Sequence, residues 1–157
     1  MPKIISNTVQ AHIACFPKGS DRPLFLLLKR AENETIYPNV WQAVTGWIEL
    51  GETALETALR ELKEETGLVP KKSWTVPYIT SFFDAKKDEI HLSPVFGFLV
   101  DEDAEIKLSN EHCAFEWLSY EDCCDRLIIP THIEGTKVFC DFILCGSSGE
   151  SYEIINT

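Results

Sequence analysis

The sequence predicts an α/β or α+β fold in which helices pack against a mixed β-sheet. Three observations predict it. Apolar, β-rich stretches come before, between and after helical ones. One helix carries signals at both ends. At 157 residues the chain is long enough for one domain with a real core and short for two, so a single domain over residues 1–157 is expected.

The elements follow in order. Residues 8–16 (TVQAHIACF) read as a strand with Val9, Ala11, Ile13 and Cys15 on one face. PKGSDRP is a turn. Residues 24–28 form a buried strand, with Lys29 and Arg30 at its polar end. AENETIYPN is a loop. Residues 41–48 (WQAVTGWI) are β-rich, interrupted at Gly46, and residues 53–66 form a helix. Residues 73–83 and 89–99 make a hairpin around AKKD. Residues 113–118 are a further strand, and residues 120–127 and 131–144 read as helices, the second containing Gly135.

Composition excludes several functions. The net charge of -11 argues against a nucleic-acid or anionic-membrane partner, since phosphate contacts need clustered Lys and Arg. It still permits a small polyphosphate if cations come between. The start, MPKIISNTVQ, lacks a signal-peptide pattern, and no run has the length of a membrane span. A soluble, cytoplasmic protein is expected. The six cysteines have no CxxC pair or zinc-ligand spacing and read as reduced thiols filling the core.

The helix at residues 53–66 is the unusual element. Thr53 and Glu56 form a capping box, and Gly67 stands where a left-handed C-cap is expected, with Leu68 and Pro70 beyond. At about 100° per residue, Leu55, Leu59, Leu62 and Thr66 form the apolar stripe. Glu61 and Glu65 share a second stripe with Ala54 and Ala58, whose small side chains leave room for an approaching group. Glu64 can pair with Arg60 at i,i+4. A solvated face with salt bridges fits poorly. Glu61 and Glu65 face each other without an intervening cation, and Glu64 and Glu65 stand in the last turn, where the helix dipole disfavours anions. A hard divalent cation converts that repulsion into coordination.

The wider segment GWIELGETALETALRELKEETGL resembles the signature of the Nudix hydrolases. Gly46, Glu52, Arg60, Glu61, Leu62, Glu64, Glu65, Gly67 and Leu68 fill every fixed place of that pattern, a highly specific match. The resemblance implies an α/β/α sandwich with a mixed sheet between helices. It also implies hydrolysis of a nucleoside diphosphate linked to another group, assisted by Mg²⁺ or Mn²⁺. It makes Glu61 and Glu65 the central metal ligands, Glu64 and Glu52 further ligands or supports, the Gly46 carbonyl a backbone ligand, and Arg60 the residue that orients the acids. The chemistry needs such residues, because the metals neutralise a polyphosphate and a carboxylate cluster that otherwise repel.

Downstream, EHCAFEWL is similar to an element of the dihydroneopterin triphosphate pyrophosphatases and the diadenosine tetraphosphate hydrolases. That likeness implies Glu111 as a ligand or general base, with His112 structural. Phe115 and Trp117 read as core. WQAVTGWIELGETA resembles the pterin and dATP pyrophosphatase group, which makes Arg30 and Thr45 substrate contacts. The prolines and lysine that diadenosine tetraphosphate hydrolases carry before the box are missing at Ala43–Trp47, and no tyrosine lies near Ala85. The expected substrate is therefore a pterin or purine (deoxy)nucleoside triphosphate, cleaved to monophosphate and pyrophosphate, with diadenosine tetraphosphate as the alternative. Ring-stacking candidates are Trp41, Trp47, Tyr37 and Phe83, and His91 is a candidate for the pocket wall.

Overall fold

The computed structural model describes residues 1–155; the last two residues of the expected 1–157 unit lie outside the described residues. In chain order the elements are β1 (Lys3–Ile5), β2 (Thr8–Cys15), β3 (Leu24–Arg30), β4 (Trp41–Gln42), β5 (Val44–Trp47), α1 (Ala54–Thr66), β6 (Lys72–Asp84), β7 (Glu89–Leu99), β8 (His112–Leu118), α2 (Tyr120–Arg126), α3 (Pro130–Val138), a π-helical stretch (Phe139–Leu144) and α4 (Gly149–Tyr152). No helix among the described residues is long and apolar enough to cross a membrane.

The sheet is mixed, as expected. β2 pairs antiparallel with β3 and β5 and parallel with β7. β7 carries β1 in parallel and β6 antiparallel on its flanks. β3 carries β4 and β8, both antiparallel.

Alternation divides the core in two, because successive strand residues point to opposite faces. Val9, Ala11, Ile13, Leu26, Leu28, Phe96 and Phe98 join Ala58 and Leu62 of α1 on the first face. Ala14, Phe25, Leu27, Trp74 and Val95 join Cys123 of α2 and Phe139, Cys140 and Ile143 of the π-helical stretch on the second. Helical layers thus cover both faces, which is the expected α/β/α order.

Several expectations change. Residues 41–48 are two strands. The break falls at Ala43, whose N–H goes to His132 Nδ1 at 3.1 Å, while Gly46 stays within β5. Residues 131–144 change from α to π winding after Val138. The short β1 was not expected; it follows β7 from Glu89 to His91. Phe115 is exposed rather than core, although Trp117 does pack against the first-face cluster. Cys15, Cys123 and Cys140 fill the core, but Cys113 and Cys145 are exposed.

Candidate active site

Helix α1 is set by its ends. Glu56 N–H donates to Thr53 Oγ1 at 3.2 Å and Thr53 N–H donates to Glu56 Oε2 at 2.7 Å, completing the capping box. Gly67 closes the helix at φ 73°, its N–H donating to Lys63 O. These local bonds fix where the helix begins and ends.

The packed face differs from the leucine stripe. Thr57, Ala58, Leu62, Glu65 and Thr66 are buried, whereas Leu55 and Leu59 lie at the edge of the core. The sheet itself therefore occupies the room beside Ala58, and the stripe of Glu61 and Glu65 turns inward. Small residues let the helix approach closely, which draws its carboxylates toward the strands.

Gly46 is part of this approach. It pairs with Val9 of β2, a first-face residue. A Cβ at position 46 would collide with Cγ, Cδ and Oε1 of Glu61. The Glu61 carboxyl thus lies against the backbone of β5, in space that any other residue would fill.

Arg60 organises the acids on the outer side. Its Nε donates to Glu52 Oε1 at 2.6 Å and its Nη2 to Glu52 Oε2 at 3.0 Å. Nη1 donates to Glu61 Oε1 at 3.0 Å and Glu64 Oε2 at 3.3 Å, and Nη2 also reaches the Trp47 carbonyl at 3.0 Å. Glu52 accepts two further bonds, from Thr57 Oγ1 at 2.7 Å and Glu49 N–H at 3.1 Å. Arg60 and Thr57 hold its carboxyl down at about 2.

The inner acids behave differently. Burial raises Glu61 to about 7 despite Arg60, with Glu65 and Glu64 adding to the rise. Burial would raise Glu65 too, but hydrogen bonding and charge from His112, with Glu111 and Ser109, bring it below the ordinary carboxyl value. Glu111 moves up, through the Glu65 charge and then through burial. Like-charged carboxyls that act on each other oppose one another's ionisation unless a cation relieves them.

Glu111 comes from outside the helix. The turn before β8 places it through Ala31 N–H, which donates to its carbonyl at 2.9 Å. Ser109 Oγ lies 3.4 Å from Glu65 Oε2 and also accepts from Glu111 N–H at 3.4 Å. Next in sequence, buried His112 sets Nδ1 2.5 Å from Glu65 Oε2, off the line of a straight ring N–H bond. Gln42 Nε2 donates to the ring's Nε2 at 3.0 Å. Neither Gln42 nor Ser109 was expected here; a lone Gln and a lone Ser carry no sequence signal, and only the β3–β4 and β3–β8 pairings bring them close.

The expected substrate contacts are scattered. Arg30 Nε donates to the Ile36 carbonyl at 2.7 Å and Nη2 to Glu34 at 3.0 Å, bracing the loop beside Glu111. Thr45 pairs with Gln10 and so lies on the second face, exposed. Trp41 packs against the second-face core with the Arg126 guanidinium 5.0 Å from its ring. Phe83 is exposed near the tip of the β6–β7 hairpin, where Phe82 stacks on His91 at 4.6 Å. Tyr37 and Trp47 are exposed.

The NUDIX domain model matches residues 8–142. The chain belongs to the NUDIX family. The match takes in α1, β8 and the acidic residues Glu52, Glu61, Glu64, Glu65 and Glu111. A nucleoside triphosphatase NudI of Escherichia coli is 29% identical over 120 residues, covering 72% of this chain and 84% of the relative. An octanoyltransferase of Myxococcus xanthus is 32% identical over 111 residues, or 70% of this chain, but the chain spans only 30% of that protein. The MutT protein of Methanosarcina mazei shares the fold with a TM-score of 0.68 at 26% identity, over 88% of this chain and 94% of that one.

The residues present fit a hard divalent cation. Their donors are all carboxylate oxygens, the choice of Mg²⁺ and Mn²⁺. Glu61, raised to about 7, and Glu111, raised by the Glu65 charge, are carboxyls whose ionised forms a cation would stabilise. Among the described residues no three acidic, His or Cys side chains yet converge on one point; Arg60 holds an oxygen of both Glu61 and Glu64.

Proposed function

We propose that this NUDIX hydrolase is a Mg²⁺- or Mn²⁺-dependent pyrophosphohydrolase of a purine (deoxy)nucleoside or pterin triphosphate. The observation that carries the metal-dependent site is the gathering of acids from separate elements: Ser109 Oγ lies 3.4 Å from Glu65 Oε2 and 3.4 Å from the Glu111 N–H, and partly buried Glu61 lies against β5. A shared cation relieves such like charge and turns it into coordination. Glu61, Glu65 and Glu111 would hold the metal, with Glu64 and the Gly46 carbonyl at its margin. When bound, the cation neutralises the phosphates and lowers the pKa of the attacking water.

The protein's own residues supply the rest. Glu52 acts as a support, since its oxygens are already taken by Arg60, Thr57 and the Glu49 N–H. Arg60 fixes the spacing of Glu61 and Glu64. Glu111 enters from the turn before β8 rather than from α1, so it completes the ligand set from the opposite side. Recognition of the ring falls to the loop at residues 31–39, which Arg30 braces beside Glu111 and which exposes Tyr37. Trp41, facing the second layer, is not used for stacking.

The triphosphate reading draws on Arg30 and the T-G entry to the box, and on the likeness to a nucleoside triphosphatase. It is tested by a Mg²⁺-supplemented panel of dATP, dihydroneopterin triphosphate, 8-oxo-dGTP, diadenosine tetraphosphate and ADP-ribose, with products identified by mass. The expected result is monophosphate and pyrophosphate from a triphosphate, abolished by chelator. Diadenosine tetraphosphate as best substrate would overturn the substrate; full turnover in excess chelator would overturn the metal dependence.

A further inference from the structure

His112 joins a buried line of side chains that the family signature does not include. Gln42 on β4, His112 on β8 and Glu65 on α1 are all buried, at 5%, 6% and 4% exposure. Gln42 Nε2 lies 3.0 Å from His112 Nε2, and His112 Nδ1 lies 2.5 Å from Glu65 Oε2. Three elements thus meet through one imidazole.

The neighbours on either side of the ring fix which nitrogen bears the hydrogen. An amide N–H can only donate, so His112 Nε2 must offer its lone pair to Gln42. A carboxylate oxygen can only accept, and Glu65 Oε2 stands against Nδ1, off the straight line of its N–H, so a bare nitrogen lone pair beside it would repel it. Both place the ring hydrogen on Nδ1. Ser109 Oγ also approaches Glu65 Oε2. Both neighbours therefore take Oε2, and Oε1 receives neither.

We propose, resting on the metal-dependent reading above, that His112 is a positioning residue: held by Gln42, its Nδ1–H clamps Glu65 Oε2 and presents Oε1 to the divalent cation. Groups that orient a ligand from behind typically change metal affinity or activity about 10–100-fold when replaced. The sequence context gives no hint of this. Gln42 and His112 are 70 positions apart and meet only because β3 pairs with both β4 and β8.

The test uses the full chain and Mn²⁺ binding followed by electron paramagnetic resonance. His112→Asn sets an amide nitrogen in the place of Nδ1, and His112→Gln sets one in the place of Nε2. The expected result is near-native Mn²⁺ affinity for His112→Asn and a loss of about 10–100-fold for His112→Gln, with kcat following affinity. Equal affinities for the two variants would overturn the clamp. If His112→Gln does not fold, ¹⁵N NMR of the wild-type ring decides: hydrogen on Nδ1 upholds the proposal and hydrogen on Nε2 overturns it. Failure of the wild type to bind Mn²⁺ would instead remove the metal-dependent reading, and the clamp with it.

Discussion

Each face of the sheet buries titratable side chains, and the two sets differ in whether they are closed. On the second face Gln10 Nε2 donates to His12 Nε2 at 2.8 Å, and Thr136 Oγ1 lies 3.3 Å from His12 Nδ1 and donates to the His132 carbonyl at 2.9 Å. His132 Nδ1 in turn accepts from Ala43. Burial pushes His12 down to about 3, with His132 adding to it, and His132 down to about 4. This network is neutral and internally matched, and it ties β2 and the break between β4 and β5 to α3. On the first face the charge of Glu65 acts on both Glu61 and Glu111, with Arg60 on the outer side and His112 behind Glu65. Burial of ionisable groups therefore does not by itself mark a site; unrelieved like charge does.

Paired glycine substitutions break this comparison most sharply. Gly46→Ala places a methyl where the Glu61 carboxyl lies. Glu61 is a flexible side chain and can move, so the expected effect is a large loss of turnover and of Mn²⁺ affinity with little loss of stability. Gly135→Ala places its methyl against His12 Nε2 and Gln10 Nε2. Overpacking there costs about 1–3 kcal/mol against a gain in helix propensity of about 1 kcal/mol, so a net loss of roughly 1 kcal/mol is expected in urea unfolding, with metal dependence unchanged. Exchange of these two outcomes would reverse the assignment of the faces.

A smaller effect lies in the pH dependence of the metal-free protein. The folded Glu61 value of about 7 lies above its ordinary 4.5. The folded state binds the extra proton, so this contribution is present below 4.5 and lost as pH rises through about 7. The folded His12 and His132 values of about 3 and about 4 lie below 6.5. Their contribution is present above 6.5 and lost as pH falls toward 4. The faces thus carry opposite slopes. Glu61→Gln should remove only the decline at the upper end, as should excess Mg²⁺; urea midpoints across pH check this, and an unchanged slope in Glu61→Gln would contradict it.

Local signals were the legible ones. The α1 caps could be read from Thr53, Glu56 and Gly67 because they involve bonds within a few residues. The strand alternation of β2 was legible, yet Gln10, His12 and Ala14 are buried as well, since a central strand is covered on both sides. The rotation of α1 was not legible: large Leu55 and Leu59 suggest a packed stripe, but close approach to the sheet selects Ala58. The roles of Gln42 and Ser109 depend on pairings between strands distant in sequence. Thr45 is a candidate by motif and Trp41 by its aromatic ring, and strand parity turns both toward the second face.

The central claim is that the inward carboxylates of α1 hold a divalent cation. Mn²⁺ titration of wild type and Glu65→Gln, alongside their unfolding midpoints, tests it most directly. The account predicts saturable binding by the wild type, affinity reduced at least about tenfold in Glu65→Gln, and closely similar stability. Equal Mn²⁺ affinity in two equally folded proteins would contradict it.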